Sequence, residues 1–225
     1  KRVLESFLRQ PYSWFLSRNS ADLGKSILSE IGTIVGKGLT PLFELISRSM
    51  VALAIIILLI LVDYKIALIV GITISSFYGL IFYFSNSYLY SIGKERLRNN
   101  TLRYMSISEA LGAIKEIKIG GLEQIYSKRF SKAAEIFASK QVYIGILSQL
   151  PRYFLEAIAF GGVMLMILYL IIDRGGINSA LPVLSVYVFA GYRLMPSIQQ
   201  IYASFNLITF VAPTVNSLHK ELKDL

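Results

Sequence analysis

Arg193 stands about a dozen residues into an uncharged run that otherwise extends from Leu181 to Phe210. A charged side chain at mid-bilayer depth costs about 2.5–3.5 kcal/mol on insertion scales, so such a residue is expected to face protein or a water-filled cavity. Guanidinium stays protonated and grips phosphate through two parallel hydrogen bonds, which makes recognition of an anionic, phosphate-bearing group its natural chemistry. Arg152 and Glu156 lie one helical turn apart at the edge of another apolar run and share a face. Two readings of them stay open. They line the same anion path, or Glu156 neutralises Arg152 or Arg193 as a structural pair. Pro196, three residues beyond Arg193, removes a backbone donor and can kink its helix, as a hinge or as a static bend.

Other chemistries find little support. Gly24-Lys25-Ser26 has the ending of a phosphate-binding loop, but such a loop needs a glycine five residues earlier and a preceding buried strand. Asn19 occupies that earlier position and no strand pattern precedes it. The chain has no cysteine and a single histidine, His219, which excludes disulfides, thiolate metal sites and a histidine cluster. Neither a Ser-His-Asp set nor a carboxylate pair suited to acid–base work is present, so no catalytic or metal-ligating residue is expected.

The elements that must position the arginines follow from composition. Of 225 residues, 54% are hydrophobic and only 16% charged, with a mean hydropathy of +0.57. Soluble domains run about 45–50% apolar and about 25% charged. The excess points to a bilayer as solvent. The net charge is +9 and is unevenly placed. Residues 94–152 carry 11 of the 23 Lys and Arg against 5 acids, and residues 1–48 carry 7. The short turns between spans hold one basic residue each, Lys65 and Arg174. That is the positive-inside distribution of a membrane protein, and it argues against nucleic acid as a partner.

Four spans are expected: Leu39 to Val62, Ile66 to Gly93, Phe154 to Ile172 and Leu181 to Phe210. In the first, Glu44 and Arg48 are four apart and can pair. Asp63-Tyr64-Lys65 and Asp173-Arg174-Gly175-Gly176 read as turns. Tyr83, Tyr88 and Tyr90 read as an interfacial aromatic belt, with a substrate surface as the alternative. Gly32 and Gly36 read either as a close-packing pair or as two tolerated helix glycines. Two charged elbows connect the spans. In residues 12–30, Asn19 or Ser20 can cap a helix whose first turn holds Asp22. In residues 94–152, Ser106 to Phe130 reads as helix, Gly120-Gly121, then helix again, and must stand in water. Four crossings put both ends of the chain on one side.

The run SEALGAIKEIKIGGLEQIYSKRF resembles the second intracellular loop of ABC exporters, with Glu109, Gly112, Lys115, Glu116 and Glu123 at the family's recurrent spacing. SRNSADLGKSILSE resembles their first intracellular loop. LPRYFLEAIAF and YRLMPSIQQIYASF look like segments of bacterial lipid-linked oligosaccharide flippases of protein N-glycosylation and related polysaccharide and glycolipid exporters. The resemblance implies an all-α, polytopic exporter bundle with long cytoplasmic helix extensions and coupling helices. On it, residues 1–225 run from the end of helix two to helix six, four of six spans, cut at both ends, with a nucleotide-binding domain expected after Leu225. Asn19, Ser20, Asp22, Gly121, Leu122, Glu123, Gln124 and Tyr126 would couple the spans to that domain. Arg193, Arg152 and Glu156 would line the substrate cavity, with Pro196 as hinge.

The resemblance further implies ATP-driven alternating access by a homodimer of half-transporters in the cell (inner) membrane, both ends of the chain cytoplasmic. No cofactor is expected in this chain. ATP and Mg would sit on the nucleotide-binding domain, making the full-length protein an ATP-hydrolysing translocase. Besides that domain, the expected partners are membrane lipids and a lipid-linked sugar as cargo. The alternatives are another cargo (lipid A-type glycolipid, peptide or drug) and a non-transporting membrane scaffold or sensor.

Overall fold

A computed structural model describes residues 2–16, 20–174 and 177–223. Every regular element among them is helical: α1 (Arg2–Leu8), α2 (Tyr12–Leu16), α3 (Ser20–Lys25), α4 (Ile31–Ile34), α5 (Thr40–Val62), α6 (Tyr64–Gly112), α7 (Ile114–Gly120), α8 (Glu123–Arg174) and α9 (Ile177–Lys223). Between α3 and α5 the backbone widens into two π-helical segments, Ser26–Glu30 and Val35–Leu39, without breaking the rod. The rod that starts at Ser20, with Asp22 in its first turn, therefore runs on to Val62, with two register shifts.

The breaks have local causes. Pro11 separates α1 from α2. Asp63 alone interrupts α5 and α6, and its Oδ1 accepts hydrogen bonds from the Lys65 and Ile66 amides at 3.1 and 3.3 Å, an N-cap for α6. The turn is thus one residue rather than three. α9 passes unbroken through Pro196, beside which Ser197 Oγ donates to the Arg193 carbonyl at 3.1 Å.

Among the described residues, four helices are long and apolar enough to cross a membrane: Ala21–Val62, Tyr64–Gly112, Glu123–Tyr169 and Leu181–Lys223. Only 6–17% of their most apolar windows is buried within the protein. Leu61, Phe189 and Phe84 lie open on these rods, as lipid-facing side chains do. The chain is a multi-pass membrane protein.

Its contacts divide it into two compact units, Lys1–Thr40 with Ser87–Gly145 and Leu207–Leu225, and Pro41–Asn86 with Ile146–Asn206. The second unit has an apolar core of Ala52, Leu59, Ile66, Val183, Tyr187, Ala190 and Leu194. Aromatic pairs extend it, Tyr78 on Tyr202 at 5.4 Å and Phe82 on Phe205 at 5.8 Å. Tyr187 adds a polar tie. Its hydroxyl lies 2.7 Å from the Asp63 carbonyl, to which it donates at the end of α5. The first unit is different in kind, because its interior holds charge.

Candidate functional site

That charge is concentrated where residues 25–33 meet α6 and α9. Arg96 and Glu30 are 2% and 3% exposed and pair at 2.6 Å. Asn100, fully buried, donates to the other Glu30 oxygen at 2.5 Å and to Ser29 Oγ at 3.0 Å. Arg96 also donates to Thr33 Oγ1 at 3.0 Å. Phe137 of α8 takes both Arg96 and Arg103 on its ring, at 5.1 and 4.2 Å. The first π segment turns Ser26 toward Glu221 of α9, at 2.8 Å, and Glu30 toward α6. The two buried charges, Glu30 and Arg96, thus form a polar core in this unit, paired and hydrogen-bonded as buried charges require.

Lys25, the lysine of the abortive phosphate loop, is buried and donates to Thr101 Oγ1 at 2.8 Å. Its distance to Asp22, 3.5 Å, is at the limit of a hydrogen bond. Asp22 therefore sits in the first turn of α3, as expected, and its carboxylate leans inward on Lys25. Ser20 opens α3. Asn19 lies outside the described residues.

The second elbow is built around Gly121. α7 ends there with φ +61°, a left-handed conformation that glycine adopts without a Cβ clash. The Leu122 amide reaches back to the Ile117 carbonyl at 3.1 Å, the wide hydrogen bond of a Schellman turn. Leu122 then starts α8, its carbonyl accepting from the Ile125 and Tyr126 amides. Glu123 pairs with Lys118 across the turn at 3.0 Å, and Arg129 with Glu109 at 2.5 Å, closing the elbow's base. Gln124 is exposed and Tyr126 half-buried.

The separate short helix lies upstream of the residues singled out from sequence. α7 buries Ile117 and leaves Ile114 and Ile119 open, with Leu111 and Ile125 exposed on either side. The isoleucines at 114, 117 and 119 were the signal for it. Ile114 and Ile117, three apart, share a helix face, and only the second of them is buried.

In the second unit, Arg152 and Glu156 pair with each other. Arg152 Nε donates to Glu156 Oε1 at 2.8 Å, and the side chains stay 60% and 49% exposed. Arg193 is exposed on α9, with no ion pair among the described residues. Glu44 accepts from Gln200 Nε2 at 2.6 Å instead of pairing with Arg48. The long-range partner was closer than the local one.

Residues 1–196 match the family model described as ABC transporter transmembrane region. The chain belongs to this family. This ABC transporter transmembrane region is also 25% identical, over 167 residues, to the ATP-dependent lipid A-core flippase of Ralstonia nicotianae. That alignment covers 72% of the chain and 28% of the relative, so the chain spans well under half of that protein's length. Membership of the family agrees with the four spans, and it gives the two charged elbows a context in a transporter's membrane region.

Proposed function

We propose that the chain is the membrane domain of an ATP-driven ABC exporter that flips an amphipathic anionic lipid, with a lipid-linked oligosaccharide as cargo. Arg193 carries this reading. It is a permanent cation in an apolar run, and among the described residues no carboxylate pairs with it. Such a group gains most from a phosphate that passes it. Arg152 is a weaker candidate, because Glu156 already meets its charge.

Transport on this reading is alternating access by a homodimer of half-transporters. ATP and Mg bind a nucleotide-binding domain elsewhere in the protein, outside this chain. The loops at 12–30 and 94–152 stand in the cytoplasm, and the open apolar faces of Ile114 and Ile119, with Gly121 to Tyr126, dock on that domain. Closure of the domains then moves the rods, since any coupling must act through contacts that differ between two states. Pro196 serves as a bend within a continuous helix. A second cargo reading, a lipid A-type glycolipid, draws on the name of the flippase relative.

The test uses the full-length protein in liposomes, following ATP-dependent flipping of a fluorescent polyprenyl-pyrophosphate glycan beside a labelled lipid A-type glycolipid. Wild type should flip the first. Arg193→Ala should lower that rate at least tenfold, the scale of one lost charge-assisted phosphate contact of about 1.5–3 kcal/mol, while basal ATP hydrolysis persists. Flipping of the glycolipid alone would transfer the assignment to the second cargo.

A further inference from the structure

We propose that Lys37 forms a binding site for the phosphate of an anionic membrane lipid, at the depth where the apolar helix runs give way to their charged extensions. The site is independent of the transported cargo and rests only on the chain's insertion in a bilayer.

The depth follows from contacts within the first unit. Leu39 opens the apolar run that ends at Val62, Gly93 closes the uncharged run that starts at Ile66, and Phe210 closes the run that starts at Leu181. Gly93 and Phe210 touch backbone to backbone, so closely that a Cβ on Gly93 would meet the Phe210 carbonyl oxygen at 2.1 Å. A Cβ on Gly38 would lie 3.4 Å from Val211. Lys37 Nζ stands 5.0 Å from the Phe210 ring centroid. The ends of three runs therefore lie at one level, and Lys37 is at that level. Exposed Tyr88 and Tyr90 precede Gly93 by one turn or so, in the position of an interfacial belt.

The charge around Lys37 is unbalanced. It is half-buried, and its ammonium donates to the neutral Gln141 Oε1 of α8 and lies over the Phe210 ring of α9. From α6 its charged neighbour is Arg96, which repels it and whose own charge Glu30 already meets at 2.6 Å. Asn100 occupies the other Glu30 oxygen. Lys140, beside Gln141, is paired with Glu95 at 2.8 Å. Among the described residues, then, no carboxylate lies within ion-pair distance of Lys37. An ammonium has three donors and Gln141 takes one. Two remain, at the level where Gly93 and Phe210 close their uncharged runs. Basic pockets between transmembrane helices on the positive side take phosphate headgroups for this reason. Free inorganic phosphate offers the same oxygens but lacks the acyl chains that would hold it at this depth.

The full-length protein, exchanged from phosphatidylcholine–phosphatidylglycerol vesicles into mixed micelles, should retain phosphatidylglycerol by native mass spectrometry. Lys37→Gln should weaken retention about fivefold, the size of one basic residue's attraction to an anionic surface. Lys37→Arg should keep it, and so should Lys128→Gln on the exposed elbow. Equal retention by Lys37→Gln and wild type overturns the site, and so does an equal loss in Lys128→Gln, which would mark bulk charge. Displacement by millimolar inorganic phosphate assigns the pocket to a free anion and overturns the lipid reading. Should Lys37→Gln fail to fold, a headgroup photo-crosslinker on phosphatidylglycerol tests wild type directly. Labelling of the peptides that carry Lys37 and Gln141 supports the site, and labelling confined elsewhere overturns it.

Discussion

Gly93 has no room for a side chain. A Cβ there would sit 2.1 Å from a carbonyl oxygen and 3.0 Å from the carbonyl carbon of Phe210, both backbone atoms that cannot swing away. Gly93→Ala should therefore force α6 and α9 apart and destabilise the protein by at least the ~1–3 kcal/mol typical of overpacking. Gly32 is the control. A Cβ there meets nothing within 4 Å, so Gly32→Ala should be neutral or stabilise by about 0.5–1 kcal/mol through helix propensity. Thermal unfolding of the two variants in one detergent checks both, and a tolerated Gly93→Ala would mean that the helices separate easily. The contrast also shows what sequence hides at this scale. The spacing of Gly32 and Gly36 draws attention because small residues four apart are a known packing device. Gly93 carries no such mark, because the backbone it touches belongs to a residue far along the chain.

Whole helices are held by the Glu30–Arg96 pair. Removing one partner strands a buried charge, so Arg96→Met or Glu30→Leu alone should cost about 3–5 kcal/mol. Replacing both should recover most of that loss, because apolar side chains of similar volume suit the site once neither charge remains. A double-mutant cycle on thermal unfolding measures the coupling. Additive single losses would show that the two residues act separately, against the 2.6 Å geometry. The cycle must leave Asn100 in place, since its amide loses the Glu30 acceptor in either Glu30 variant. At this scale sequence was partly legible. The helix ends at Pro11, Asp63 and Gly121 were readable, because a proline, an N-cap and a left-handed glycine act locally. The π segments at 26–30 and 35–39 were not. They answer to partners on α6, α8 and α9 rather than to any residue type within them.

The protein as a whole was the most legible level, because solvent decides it. The uncharged run from Ile66 to Gly93 and the basic block at 94–152 can be satisfied only by lipid and by water respectively. The site was less so: Arg193 announces itself by standing in an apolar run, whereas Lys37 sits among polar neighbours and stands out only when its partners prove to be uncharged. The solvent argument yields a topology that can be measured cleanly, because the chain has no cysteine and any introduced one reports alone. Cysteines placed at exposed Lys115, Lys128 and Arg9 should react with an impermeant maleimide from one side of sealed vesicles. Cysteines at Lys65 and Arg174 should react only from the other. The basic excess predicts that the first side is the cytoplasm. Reaction of Lys65→Cys and Lys128→Cys from the same side would leave an even number of crossings between them, or none. That would overturn the four-span topology, in which one span, Ile66 to Gly93, separates Lys65 from Lys128. Reaction from opposite sides places an odd number of crossings between Lys65 and Lys128, as the span from Ile66 to Gly93 requires, and the basic side is then the one on which the proposed docking and the Lys37 site are expected.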